Sequence, residues 1–175
     1  MNLQEILEKI KHIPSNVVDE DTTMHVKYLS NLPDVPLILD FGTGWGKIAI
    51  SMALACPQAE IVTFDPGTPY QNYEEIVRKY LKPYKNIRFA INDSHEVIWI
   101  ERIDVLSIDA SHTYEDTKFE IEKFYPFVKP GGLILMHDYV VERVDVKKAV
   151  DEYLLEHPEY EILESAGYTT IIKKL

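Results

Sequence analysis

The stretch that decides the fold is "LILDFGTGWGK", Leu37 to Lys47. An apolar run ends in an acid, Asp40, and passes into a turn with glycine at positions 42, 44 and 46. A short apolar run bounded by turn residues is the pattern of a strand buried on both faces. Three alternate glycines strip side chains from one turn, so something comes close to its backbone. The following "GKIAISMALAC" reads as a helix that stops before Pro57. Its first turn offers free N–H groups beside the glycines.

Strand and helix patterns alternate outward from this turn. "AEIVTFD" (59–65), "NIRFAI" (86–91), "IDVLSIDA" (103–110) and "LILMHD" (133–138) read as strands. "YEEIVRKYLK" (73–82), "SHEVIWI" (94–100), "YEDTKFEIEKFYPFV" (114–128) and "DVKKAVDEYLLE" (145–156) read as helices, and "KPGG" (129–132) as a turn. The last sixteen residues, "YEILESAGYTTIIKKL", read as an antiparallel hairpin. Ahead of this core, Leu3, Ile6, Leu7 and Ile10 share a helical stripe ended by Pro14, and a second helix pattern runs from Asp19 to Pro33. The order βαβαβαβαβαββ predicts an α/β fold, a parallel sheet with helices on both faces. Residues 1–35 are expected to form N-terminal helices and 36–175 the ligand-binding core of a single domain. Sites in such sheets lie at the carboxyl ends of the strands. That selects Asp40 to Gly46, Asp65, Asn92 to Ser94, Asp109 to His112, and His137 to Tyr139.

Composition narrows the partners. The 175 residues carry 29 acids against 18 bases, a net charge of −11, with no basic block. Phosphate backbones are bound by clustered Lys and Arg, so a nucleic-acid substrate is disfavoured. No apolar run approaches the ~20 residues of a membrane helix, and the N-terminus lacks the apolar centre of a signal peptide. The one cysteine, Cys56, allows no internal disulfide. A cytoplasmic protein without a membrane partner is expected.

The glycines do not follow a phosphate-binding pattern. A dinucleotide turn reads G-x-G-x-x-G; here Lys47 stands at the third glycine. A P-loop needs Ser or Thr after its lysine; here Ile48 follows. Asp40 would repel a pyrophosphate and suits a positive group. Asp65 ends the second strand, where an acid accepts hydrogen bonds from both ribose hydroxyls. A nucleoside with a cationic substituent fits both acids.

With these residues the chain resembles the class I S-adenosylmethionine-dependent methyltransferases. "LDFGTGWG" is similar to their first motif and "VTFD" to the acidic end of their second strand. The resemblance assigns Asp40, Gly42, Thr43, Gly44, Gly46, Asp65 and Asp109 to the cofactor. It places Asp93 and Ser94 of "INDSHEV" near the adenine. The hairpin ending implies a Rossmann-like seven-stranded, mostly parallel sheet with one antiparallel strand. "IDASHTYEDTKFEIEKFYPFVKPGGLILMHDY" further resembles the small-molecule and sugar O-methyltransferases, whose pattern runs Asp-x-x-His-x-Tyr, Lys-Pro-Gly-Gly, His-Asp-Tyr. "RVDVKKAVDEY" continues the likeness; Ala110 and Ser111 depart from it. In metal-dependent relatives, residues matching Asp109, His137 and Asp138 hold Mg²⁺. Imidazole suits Mn, Fe or Zn better than Mg, so Mg or Mn stays open here.

Methyl transfer from a sulfonium needs alignment, and a base when the acceptor is a hydroxyl. Asp109, His112 and Asp138 are the catalytic candidates, with Asp109 or His112 as base. His112 could instead cap the helix that follows, and His137 could be a core histidine. Tyr114, Tyr139 and Trp45 either line a pocket or pack. His12, His25, His95 and His157 show no pairing. The [Asn/Asp]-Pro-Pro-aromatic run of amino methyltransferases is replaced by Asp109-Ala110-Ser111-His112; the "DPGTPY" segment (65–70) follows the wrong strand.

Three readings follow. The first is a methyltransferase acting on a small-molecule or sugar hydroxyl, with acceptor contacts from positions 12–35 and 66–73. The second is an inactive or partner-dependent binder of S-adenosylmethionine, whose pocket a homo-oligomer would complete because no lid insertion lies between the fifth and sixth strands. The third is an NAD-dependent oxidoreductase, against which Lys47 and Asp40 count.

Overall fold

The computed structural model describes residues 1–32, 34–67, 70–140 and 144–175. Pro33, Thr68–Pro69 and Arg143, which the readings above touch, lie outside these. Seven strands form one sheet: β1 (Leu37–Phe41), β2 (Glu60–Asp65), β3 (Ile87–Ile91), β4 (Ile103–Ile108), β5 (Val128–Met136), β6 (Tyr160–Ala166) and β7 (Thr169–Lys174). Their spatial order is β3-β2-β1-β4-β5-β7-β6. β1 to β5 pair in parallel, and β7 runs antiparallel to both β5 and β6.

The helices are α1 (Leu3–Ile10), α2 (Asp19–Leu29), α3 (Lys47–Ala55), α4 (Tyr73–Leu81), α5 (Tyr114–Phe124) and α6 (Val144–Glu156). Side chains alternate across a strand, and the central strands use both faces. Ile38, Val105, Leu135 and Ile171 join one core with α1 to α4. Leu39, Leu106, Ile134 and Ile172 join the other with α5 and α6. This two-sided burial is why β1, β4 and the second half of β5 carry apolar residues at successive positions rather than in strict alternation.

The structure corrects two elements. "SHEVIWI" is not helical: Ser94 to Glu96 turn and residues 97–100 run on without regular structure, so no helix separates β3 from β4. Asp93 Oδ1 accepts from the His95 N–H at 2.8 Å and sets that turn. Ile98 and Ile100 are 90% and 84% exposed while Val97 and Trp99 pack on the core, an alternation rather than a helical face. "KPGG" is not a turn but the first half of β5, where the register against β4 shifts and Gly131 takes φ +81°. A bulge accounts for the turn-like composition inside a strand.

The chain leaves β1 toward β2 on one side and returns to β4 on the other. The ends of β1 and β4 therefore form the switch point where ligands of α/β sheets bind.

Candidate active site

The three glycines have three different surroundings. Gly42 has φ +93°, and a Cβ there would lie 1.8 Å from the Asp109 carbonyl oxygen. The turn is pressed against the end of β4, and any side chain would drive it off. Gly44 has nothing within 4 Å of a built Cβ, so it faces open space. Gly46 starts α3 against Leu81. Asp65 holds this turn: its Oδ2 accepts from the Gly44 N–H at 2.9 Å and its Oδ1 from the Gly67 N–H at 2.8 Å. Tyr73 donates its hydroxyl to the Gly44 carbonyl at 2.7 Å.

A cavity of about 400 Å³ opens beside the turn, lined by Gly42, Gly44, Asp65, Asp93, Ser94 and Asp109 among others. Six of the expected cofactor residues thus share one wall-and-floor arrangement. Asp40, Thr43 and Gly46 are not among the described lining residues. Asp40 is fully buried and accepts from the Thr63 hydroxyl at 2.7 Å, while the Thr43 hydroxyl pairs with Thr63 at 2.6 Å. Burial pushes the Asp40 carboxyl up to about 7; hydrogen bonds from Thr63 and Ser107 oppose this, and Asp109 and Asp65 add to it. The expectation that Asp40 meets a cationic group directly is corrected: its register partner is Thr63, two residues before Asp65 on the same face, so the acid lies deeper along the strands, beneath the turn.

The loop after β3 is fixed by α5, which the sequence reading missed. Glu120 is fully buried and accepts from the Ser94 hydroxyl at 2.7 Å. Lys123 donates to the Ser94 and His95 carbonyls, both at 2.8 Å. The His95 ring stacks on Phe119 at 4.1 Å, and its Nε2 lies 3.4 Å from Asp116. Positions 116, 119, 120 and 123 form one helix face; their i, i+3, i+4, i+7 spacing was the available signal. Burial pushes the Glu120 carboxyl up to about 7, against the Ser94 hydrogen bond.

A second cavity, about 800 Å³, adjoins the first at Gly44 and Asp109. The loop 14–18, Trp45, Tyr70 and Tyr168 form its walls, with His112, His137 and Asp138 beside Asp109. Trp45 packs on Tyr70 and Tyr73 at 5.7 and 5.4 Å between ring centres. His137 Nδ1 lies 3.0 Å from Asp109 and 3.7 Å from Asp138, and its Nε2 lies 3.5 Å from Asp21. These are ion-pair contacts: neither buried ring nitrogen makes a directed hydrogen bond. Burial pulls the His137 imidazole down, but the carboxylates of Asp109, Asp138 and Asp21 outweigh it and hold it raised, to about 12. Burial raises Asp138, and the imidazoles of His112 and His137 reverse this and hold it well below the usual carboxylate range. Asp138 has φ +58°, a conformation that aspartate tolerates and that turns the chain sharply after β5.

His112 is not the helix cap. Thr113 takes that role, accepting from the Asp116 N–H at 3.2 Å, which leaves the His112 Nδ1 paired with Asp138 Oδ2 at 2.9 Å. His25 and His95 are paired after all: His25 Nδ1 lies 2.6 Å from the Ser51 hydroxyl, and His95 pairs with Asp93 at 3.0 Å. His157 meets the Tyr153 carbonyl at 2.9 Å. Tyr139 donates to Asp151 at 2.5 Å and Tyr114 to Glu152, so both pack against α6. Asp21 was not among the candidates.

The profile of a methyltransferase-domain family matches residues 39–139. The chain belongs to this family. The matched span begins within β1 and ends just past Asp138, so it contains both cavity floors. A solved structure from Klebsiella pneumoniae, assigned as an O-methyltransferase, is 18% identical with a TM-score of 0.71, covering 98% of this chain and 89% of that one. The SAH-bound methyltransferase PaMTH1 of Podospora anserina is 16% identical with a TM-score of 0.71, covering 99% and 87%. Both show the fold. A release factor glutamine methyltransferase of Bordetella pertussis is 60% identical over 30 residues, which are 17% of this chain and 11% of that protein. No described helix of the methyltransferase-family chain is long and apolar enough to cross a membrane.

Proposed function

We propose that the protein is an S-adenosylmethionine-dependent methyltransferase that methylates a hydroxyl group of a small molecule or sugar. The observation that carries this reading is the meeting of two cavities at Gly44 and Asp109. One is bounded by the glycine turn, Asp65 and the loop after β3; the other holds a base and a ligand cluster.

The residues fit the cofactor. Gly44 leaves open space for a ligand against backbone. Asp65 lines the cavity with oxygens that keep lone pairs free for ribose hydroxyls. Asp93 and Ser94 bound the far end, where a base ring would lie. S-adenosylmethionine supplies a methyl group already activated on sulfonium. The chain supplies alignment: residues 36–175 carry the cofactor side, and the loop 14–18 from the first 35 residues walls the acceptor side. His112 removes the acceptor proton. With Nδ1–H donated to Asp138, its Nε2 keeps the lone pair for that task.

The second cavity also fits a divalent metal. One atom each from Asp109, His137 and Asp138 lies within 4.8 Å of the others, and His137 brings buried nitrogens with no directed hydrogen bond. A mixed nitrogen and oxygen set favours Mn²⁺ over Mg²⁺. Such an ion would lower the pKa of a bound hydroxyl and fix its position.

Labelled methyl transfer into fractionated cell extract tests the reading. With methyl-labelled S-adenosylmethionine, the label is expected in the small-molecule fraction and stable to acid as an ether. Label confined to protein or RNA would overturn the acceptor assignment.

A further inference from the structure

We propose that Asp21 is the positioning residue for His137: its carboxylate faces Nε2 and, with an ion bound, holds the proton there, which leaves the Nδ1 lone pair to the ion between Asp109 and Asp138. The inference rests on the metal reading above. It adds a residue from α2, outside the matched span 39–139, that sets which nitrogen faces the ion.

The geometry separates the two ring nitrogens. Nδ1 has Asp109 and Asp138 on its side, at 3.0 and 3.7 Å; Nε2 has Asp21 Oδ2, at 3.5 Å. Asp21 itself is fully buried. Its Oδ1 is saturated by the Tyr168 N–H at 2.8 Å and the Thr169 hydroxyl at 3.0 Å. Its Oδ2 accepts from the Val18 N–H at 3.0 Å and faces the imidazole with its remaining lone pair. The hairpin turn is shaped around this carboxylate: a Cβ at Gly167 would lie 2.8 Å from Asp21 Oδ1.

Helix capping and hairpin latching account for three of these contacts, spread over both carboxylate oxygens. They do not account for the fourth neighbour of this fully buried carboxylate, the His137 imidazole with Nε2 at 3.5 Å; a buried charge is stabilised further by a partner that can carry the opposite one. His137 is that partner. A metal-bound histidine whose other N–H is donated to a carboxylate is held in one tautomer and one ring orientation, and loss of such a partner weakens metal affinity about 10- to 100-fold.

The test is Mn²⁺ titration of the full chain, followed by electron paramagnetic resonance, for the wild type, Asp21→Asn, His137→Ala and the double variant. The expected result is wild-type binding, a 10- to 100-fold loss in Asp21→Asn, and no further loss from Asp21→Asn when His137 is already alanine. Equal Mn²⁺ affinity in Asp21→Asn and wild type would overturn the inference while leaving the metal reading intact. So would an undiminished Asp21→Asn effect in the His137→Ala background, which would mark a latch alone. No Mn²⁺ binding by the wild type would overturn both. Should Asp21→Asn not fold, ¹⁵N NMR of the Zn²⁺-loaded wild type decides. Nδ1 bound to metal with Nε2 protonated supports the assignment, and the reverse tautomer overturns it.

Discussion

Asp40→Asn should make the protein more stable above neutral pH. Asp40 is fully buried, and burial lifts its carboxyl from 3.8 to about 7. A tenfold change in acidity is about 1.4 kcal/mol, so the rise of about three such steps makes the charged form cost about 4 kcal/mol in the folded chain. Because the folded pKa lies above the unfolded one, the native state binds the extra proton between pH ~4 and ~7. Stability from this group is therefore complete below the unfolded pKa and lost as pH rises through about 7. Asparagine keeps an oxygen for the Thr63 hydroxyl and carries no charge. Its amide would occupy the place of Oδ1, which has no partner, and an unsatisfied buried donor costs about 1–3 kcal/mol. The net expectation at pH 8 is a gain of about 1–3 kcal/mol. The difference between variant and wild type should shrink as pH falls and reverse below pH ~5. Urea unfolding of both proteins from pH 4.5 to 8.5 measures it. A difference that stays constant with pH, or a variant less stable at pH 8, would refute the buried-charge argument.

Gly42→Ala should abolish soluble folded protein or cost more than ~3 kcal/mol, since its Cβ would meet the Asp109 backbone at 1.8 Å; Gly44→Ala, in open space, should fold but bind cofactor weakly, and thermal melts with and without S-adenosylhomocysteine separate the two. His112→Gln should lower kcat by about 10²- to 10⁴-fold with S-adenosylhomocysteine affinity unchanged, which calorimetry checks. Glu120→Ala frees Ser94 and removes a buried acid; it should weaken cofactor binding several-fold, and unaltered affinity would show that Lys123 and Phe119 hold the loop without it.

The fold was legible because its information is local. Apolar runs for β1, β4 and β5, and the glycine turn that interrupts them, need no knowledge of distant residues. "SHEVIWI" misled because only Val97 and Trp99 of its apolar residues pack on the core, and nothing in the sequence says that Ile98 and Ile100 lack a core to enter. "KPGG" misled because a bulge and a turn demand the same residues. At the site, strand-end acids were placed correctly along the chain, but their direction was not. Asp40 and Asp65 point to the same face, but Asp40 is in register with Thr63, two residues short of Asp65, so one lies under the turn and the other on the cavity wall. Asp21 and Glu120 sit on helices whose patterns read as ordinary amphipathic faces. Their roles come from packing across more than a hundred residues of sequence in one case and across two elements in the other.

The most direct measurement is calorimetric titration of the wild-type chain and Asp65→Ala with S-adenosylhomocysteine and with NAD. The expected result is one S-adenosylhomocysteine per chain, a loss of tenfold or more in Asp65→Ala, and no heat with NAD. At 100 times its dissociation constant the ligand should also stabilise the wild type by about 2.7 kcal/mol. Absence of S-adenosylhomocysteine binding, or tighter binding of NAD, would contradict the assignment of this turn to an adenosyl sulfonium cofactor.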